Sequence, residues 1–342
     1  MIKNKLGLIL SIIIISAIIL ALILFCKDYS RNKIAKYQPS TDNEEEASSE
    51  STEALGLDEE VAKEDEAEDV DENLKSQMEK QYSHLLVEYD ENGNYYDEAG
   101  FDKTLTIYKW GADATSLYAY LENGDADILA AHEADDVYDE TIDFLSKAWD
   151  IYDRASAKAI INKTLLYGHQ LSFKEYLDDE DVRKAVKAIK KDYGKDFSFD
   201  DTKKINETYF KEHGISTRYF YKVKATACAY VRFGEEGLKG YDYLRLMRVI
   251  ALSYECGYLT SEETYQLLYN IENELQQNYE SFQEIHECYY YGEMFRMKTK
   301  TDQATITIND IEDAIDAMVN KRYYQKIEKR YGREINLEVE DK

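Results

Sequence analysis

Residues 241–256 read YDYLRLMRVIALSYEC, and this stretch decides the fold class. Apolar side chains would cover most of the circumference of a helix built from it, which indicates a central helix that is buried on all sides. Charged residues nevertheless fall within the stretch, and three of them, Asp242, Arg245 and Arg248, lie among its apolar residues. A buried charge costs several kcal/mol unless it is paired and hydrogen-bonded, so each of them needs a partner inside the domain.

Asp242 and Arg245 are three residues apart, a spacing that lets them pair on one face of the helix. One interpretation is an internal ion pair that fixes the position of the helix, since ion-pair networks often have no role beyond structure. The other interpretation is an anion-binding site around Arg245, with Arg154 and Arg248 as further binding candidates.

Helical apolar periodicity recurs over residues 157–165, 182–193 and 220–231. Capping boxes mark two further helix starts, Thr260 with Glu263 and Ser281 with Glu284. The composition agrees, because the 342 residues include one proline, whereas average usage would give about 17. Each apolar stripe needs a packing partner, so we expect a mainly α fold with a single helical-bundle-like domain over residues 73–342.

Two segments are compatible with short β structure. Residues 87–96, VEYDENGNYY, alternate apolar and polar side chains around Asn92-Gly93, a pair typical of hairpin turns. Residues 305–308, TITI, fit a short strand before a last helix from about Asp310 to Tyr331. The fold prediction therefore includes room for a small β-hairpin.

The N-terminus predicts a membrane anchor, residues 1–26. No charged residue occurs from Leu6 to Cys26, and a helix of that length spans about 31 Å, the thickness of a hydrocarbon core. A cleaved secretory signal would have a shorter apolar core. Lipidation of Cys26 would need a small residue before it, whereas Phe25 stands there. We therefore expect an uncleaved single-pass anchor through residues 6–26.

The charge distribution predicts a linker and excludes one class of partner. Residues 27–72 include sixteen acidic residues between positions 41 and 72 and few large apolar side chains, so we expect a disordered acidic linker. The net charge of the chain is -27, which counts against nucleic-acid binding.

The basic residues around the anchor bear on the membrane side of the domain. Two of them precede the anchor and four follow it, an excess that mildly favours a cytoplasmic domain. In contrast, a very short basic N-terminus before the first apolar helix resembles a secretion-type anchor, which leaves the rest of the chain outside. We favour this second orientation, with the domain on the extracytoplasmic side.

Asp150 and His169 are the other candidates for chemistry. Asp150 or Asp153 is a natural N-cap for the helix that follows. His169 follows Gly168, where that helix is expected to end, and the imidazole can bond the last carbonyls there. No histidine or cysteine pattern has metal-ligand spacing, so we predict no metal and no cofactor. Cys228, Cys256 and Cys288 are dispersed and fit small core residues.

Several short blocks of the sequence resemble the bacterial family catalogued as domain of unknown function 1266. The blocks are Ala148-Trp149-Asp150-Ile151 with Arg154, Gly168-His169, Tyr241-Asp242-Tyr243-Leu244-Arg245, Gly257 to Glu263, Tyr279 to Glu284 and Tyr291-Gly292. The resemblance covers about residues 140–297. It differs from the family pattern at Tyr241 and Phe282, which replace tryptophans, and at Glu293, which replaces an arginine. The family has no known activity, so the resemblance implies a domain and no mechanism.

Two functions are compatible with these features. The first is a membrane-tethered interaction module with a protein partner. The second is a hydrolase or phosphate-handling enzyme that uses Asp150, His169, Asp242 and Arg245. The two differ in whether these four side chains converge in an open pocket or are sealed in the core.

Overall fold

The computed structural model describes residues 71–89, 101–130, 138–297 and 307–335. Within these residues the chain is mainly helical and contains no strand. The first seven α-helices are α1 (Glu72–Tyr82), α2 (Thr106–Glu122), α3 (Tyr138–Trp149), α4 (Arg154–Leu166), α5 (Gly168–Tyr176), α6 (Glu180–Asp192) and α7 (Phe199–Thr202). The others are α8 (Glu207–Glu212), α9 (Phe220–Phe233), α10 (Lys239–Glu255), α11 (Ser261–Asn278), α12 (Phe282–Arg296), α13 (Ile308–Asn320) and α14 (Tyr323–Tyr331).

Helix α10 is the central element of the domain, as the sequence predicts. Every residue from Lys239 to Tyr254 is buried. The helix packs against α2, α3, α4, α5, α11 and α12, which together surround it. Cys228, Cys256 and Cys288 are buried free thiols, in agreement with their predicted role as small core residues. The charged side chains of α10 therefore meet other helices rather than bulk water.

The two predicted capping boxes have different outcomes. At the start of α11, the Thr260 hydroxyl accepts the Glu263 amide, and the Glu263 carboxylate accepts the Thr260 amide. At the start of α12, the Ser281 hydroxyl accepts the Glu284 amide at 3.1 Å. The Glu284 carboxylate instead accepts the Glu280 amide at 2.8 Å. Both helix starts are thus confirmed, and Ser281 acts as a simple N-cap.

The predicted strand near residue 307 is wrong, because Thr307 caps a helix. Its hydroxyl accepts the Asp310 amide, and the Asp310 carboxylate accepts the Thr307 amide. The prediction of one continuous last helix is also wrong. The segment forms two helices, α13 and α14, which are separated at Arg322, whose φ is +56°. The turn of the predicted hairpin, Asn92-Gly93, lies outside the described residues.

Helix α1 begins at Glu72 and is capped by the Asp71 carboxylate. The predicted anchor, residues 6–26, and residues 27–70 of the predicted linker lie outside the described residues. Among the helices that the structure does describe, none has the length and apolar character needed to span a bilayer.

Candidate functional site

A backbone break at Gly168 forms the centre of the candidate site. The sequence predicts that a helix ends at Gly168, which is confirmed, and that His169 bonds the last carbonyls of that helix, which is wrong because His169 belongs to the next helix. Helix α4 ends at Leu166, and Gly168 begins α5 with a φ of +50°. A Cβ atom at this position would overlap the carboxylate of Asp242, so the close approach and the positive φ both require glycine. His169 consequently lies at the positively polarised start of a helix.

Asp242 caps this helix start from α10. Its Oδ1 accepts the backbone N–H of His169 at 2.9 Å, and its Oδ2 accepts the backbone N–H of Gln170 at 2.8 Å. These bonds satisfy two of the amide donors that a helix N-terminus leaves unpaired. The residue is only 2% exposed, so the capping takes place in the core. Asp242 therefore joins two helices that are distant in sequence.

The imidazole of His169 lies between Asp242 and Arg245. Its Nδ1 is 3.0 Å from Asp242 Oδ1 and 3.4 Å from Nη1 of Arg245. This nitrogen can donate a hydrogen bond to the carboxylate when it is protonated, or accept one from the guanidinium when it is not, but it cannot do both at once. The shorter distance favours an Nδ1–H group that donates to Asp242. The two residues predicted to pair directly are therefore connected through a histidine.

Aromatic rings surround the Arg245 side chain. Its guanidinium carbon lies 4.7 Å from the ring centroid of Trp149 and 4.9 Å from that of Tyr241, within the range of cation–π contacts. The Tyr241 hydroxyl donates to Glu293 Oε1 at 3.0 Å, and Gly292 leaves no room for a side chain against the Tyr241 ring. The cluster thus extends from α3 through α10 to α12.

Asp150 is bonded elsewhere. Its φ is +53°, and its Oδ1 accepts the hydroxyl of Tyr152 at 2.9 Å. The N-cap of α4 is Asp153, which forms a capping box with Ser156. The structure thus brings together Asp242, His169 and Arg245, and it gives Asp150 a local contact with an exposed tyrosine.

Arg154 and Arg248 each connect a pair of helices. Arg154 donates to both carboxylate oxygens of Glu263, at 2.8 and 2.5 Å. Arg248 donates to both oxygens of Glu122, at 2.7 and 2.8 Å, and both partners are nearly completely buried. Burial lowers the pKa of Arg248, but the charge and hydrogen bonds of Glu122 outweigh it, so the pKa is raised. Both arginines thus anchor helices.

A second buried polar network, around Lys239, was not predicted from the sequence. The Lys239 ammonium is 2.9 Å from Glu236 and 2.7 Å from Glu274, and its side chain is 2% exposed. The Tyr82 hydroxyl donates to Glu236 at 2.7 Å. Burial raises the pKa of Glu236, but Lys239 and the other partners bring it down to about 2. These contacts fasten α1 to α10 and α11.

Glu272 on α11 is the other group that the sequence reasoning missed. It is completely buried, and neither of its carboxylate oxygens has a hydrogen-bond partner in the described part of the chain. Burial and the nearby Asp113 raise its pKa well above the usual range. The sequence feature that could have identified Glu272 as a buried residue is its position on the apolar face of α11, four residues after Leu268 and three before Leu275.

The donor set of the site does not favour a metal. In the four described segments, no group of three or more histidine, cysteine, aspartate or glutamate side chains is placed to hold an ion. An imidazole oriented by a carboxylate beside a guanidinium is an arrangement suited to general-base catalysis. His169 is 9% exposed and Arg245 is 7% exposed, so this arrangement lies within packed helices.

The model of the family described as Protein of unknown function (DUF1266) matches residues 144–328 of the chain. This chain belongs to that family. The match covers more than half of the chain and confirms the resemblance found in the sequence. It extends beyond residue 297 to include α13 and most of α14. Comparisons with curated proteins and with solved structures returned no match.

Proposed function

We propose that this chain is a membrane-tethered protein-binding domain, anchored through residues 6–26 and facing the extracytoplasmic side. The observation that carries the proposal is an aromatic and cationic surface, which we call the Tyr219 surface and define as Tyr176, Arg218, Tyr219 and Lys222. Arg218 and Tyr219 are exposed, whereas Tyr176 and Lys222 are half-buried. Tyr219 is 52% exposed. The guanidinium carbon of Arg218 lies 5.0 Å from the centroid of its ring.

The other members extend this surface toward α12. The Lys222 ammonium is 4.7 Å from the ring centroids of both Tyr176 and Phe295. Burial raises the pKa of Tyr176 to about 12, with further contributions from Asp179 and from the nearby Tyr219. Tyrosine and arginine are enriched at the centres of protein interfaces, where their large side chains supply much of the binding energy. A cluster of this type, with Arg218 and Tyr219 exposed to solvent, supports binding of a protein partner.

The interior of the domain also supports binding over catalysis. Both oxygens of Asp242 are occupied by the start of α5, and the predicted binding candidates Arg154 and Arg248 hold Glu263 and Glu122. A reaction at these groups would have to release contacts that connect helices. Solvent-facing side chains are available without such a cost.

A photo-crosslinking amino acid at position 219 of the full-length protein, expressed in its own cells, tests this proposal. Position 152 provides a matched control, because Tyr152 is also an exposed tyrosine, at 61%. We expect one protein to be crosslinked from position 219 and not from position 152. The same protein should be lost on purification of Tyr219→Ala and retained by Tyr152→Ala. Equal labelling from both positions, or retention by Tyr219→Ala, would contradict the proposal.

Two simpler measurements test the membrane part. Removal of residues 1–26 should shift the protein from the membrane fraction to the soluble fraction. A protease added outside intact cells should digest the domain of the full chain. Protection of the domain from that protease would reverse the proposed orientation.

The convergence of Asp242, His169 and Arg245 favours one second candidate, a hydrolase or phosphate-handling enzyme. In that case, inorganic phosphate should shift the imidazole resonances of His169, and His169→Gln should abolish the shift while the fold is retained. Under the binding proposal, His169→Gln lowers stability modestly and leaves partner capture through position 219 unchanged. The two functions therefore predict different results for one variant.

A further inference from the structure

Helix α6 has a strongly cationic surface in a domain that is otherwise acidic. Its apolar residues Val182, Ala185 and Ile189 are buried, and α6 packs on α9. Its opposite face is exposed and carries five cations, which we call the cationic face of α6: Arg183, Lys184, Lys187, Lys190 and Lys191. Their spacing places them along one side of the helix.

Neighbouring acids neutralise only the first turn of this face. Arg183 is 3.4 Å from Asp178, and Lys184 is 2.7 Å from Glu180. Further along, Lys187 and Lys191 form no ion pair with any residue that the structure describes. The second half of the face therefore has positive charge available to an anionic partner.

The acidic part of the chain joins the domain at α5, the helix that directly precedes α6. The backbone N–H of Asp71, at the start of α1, donates to Glu175 Oε1 at 3.2 Å. Glu175 precedes Asp179, the N-cap of α6, by four residues. The preceding twenty residues, 51–70, contain nine acidic residues and one lysine. The negative segment thus enters the domain at α5, a few residues before the cationic helix begins.

We propose that residues 51–70 dock on the cationic face of α6. Twenty residues can reach about 66 Å when extended, whereas α6 is about 20 Å long, so the segment can cover the whole face. A single exposed ion pair contributes little. Here several pairs form in one chain, and the covalent connection raises the effective concentration of the segment at the face. The inference concerns the chain alone and is independent of the partner proposed for the Tyr219 surface.

Zero-length carbodiimide crosslinking of lysine to carboxylate tests this contact in the full chain, held in an uncharged detergent. Mass spectrometry should find Lys187 and Lys191 joined to acids of residues 51–70. The matched control is α14, whose Lys326 and Lys329 are also exposed on a helix. We expect several-fold higher yield at α6 than at α14. The yield at α6 should fall in about 1 M salt, where the screening length is about 3 Å.

Two double variants test the contact, one in the cationic face of α6 and the other in residues 51–70. Lys187→Glu with Lys191→Glu reverses the charge at two positions of the face, and Glu64→Gln with Glu66→Gln removes two negative charges from the segment. Each pair should lower crosslinking at the remaining α6 cations several-fold, whereas Lys326→Glu with Lys329→Glu should not. Equal crosslinking at α6 and α14, or no response to either α6-directed pair, would overturn the proposal. Loss of the crosslinks on transfer from neutral to phosphatidylserine vesicles would assign the face to lipid and would also overturn it.

Discussion

His286 on α12 gives a pH dependence of stability that can be worked out from its contacts. The imidazole is fully buried, with Nδ1 2.9 Å from the Tyr324 hydroxyl and Nε2 2.7 Å from the carbonyl oxygen of Ala114. A neutral ring satisfies both contacts, since Nε2–H donates to the carbonyl and Nδ1 accepts from the hydroxyl. Burial lowers the pKa of His286 from 6.5 to about 4, although the Ala114 carbonyl opposes this shift.

The sign of the effect follows from proton binding. Between pH 6.5 and pH 4 the unfolded chain binds a proton at His286 that the folded domain does not. The neutral ring therefore contributes stability that is fully present above pH 6.5 and is lost as the pH falls toward 4. Since one pKa unit corresponds to about 1.4 kcal/mol, the loss amounts to about 3 kcal/mol over this window.

Urea unfolding of the full chain in uncharged detergent measures this loss. Fluorescence reports on the domain, because both tryptophans, Trp110 and Trp149, lie within it. His286→Gln removes the titrating ring. Between pH 7 and pH 4, the free energy of unfolding should therefore fall less in this variant than in the wild type, by about 3 kcal/mol. His213→Gln is the matched control, because this less buried histidine lies 3.0 Å from Asp192. Parallel pH curves for wild type and His286→Gln would refute the reasoning.

Three further predictions concern buried positions. Glu272→Leu should raise the free energy of unfolding at pH 7 by about 1–3 kcal/mol, because it removes a buried carboxyl without partners, and the gain should shrink at pH 4. Gly168→Ala should lower the same quantity in urea unfolding by about 1–3 kcal/mol, since a Cβ would disturb the Asp242 cap. Arg248→Ala should cost about 3–5 kcal/mol, because Glu122 stays buried without its partner, and a loss below about 1 kcal/mol would contradict this.

Local features of the fold could be predicted because their causes are local. The capping box of Thr260 and Glu263 and the all-round apolar pattern of residues 241–256 each depend on residues within a few positions of one another. The same holds for the amphipathic pattern of α6. Positive φ values are less predictable, and the break at Arg322 divides a segment whose sequence predicts one continuous helix.

The candidate site could be predicted only in part, because its contacts join distant segments. The spacing of Asp242 and Arg245 indicates a polar partner but cannot show that the partner is His169, which lies 73 residues away from Asp242. The sequence likewise cannot show that Arg248 meets Glu122, 126 residues away. Buried charges predict that partners exist, and only the packing of helices decides which partners they are.

The blocks shared with the family concern packing more than surface chemistry. Trp149, Gly168, Tyr241 and Gly292 belong to four different blocks, yet they meet around Asp242 and Arg245. Each fits a close contact between helices α3, α5, α10 and α12. The Tyr219 surface and the cationic face of α6 fall between the second and third blocks, within residues 170–240. The surface proposed here for partner binding therefore lies outside the blocks that pack the helical framework.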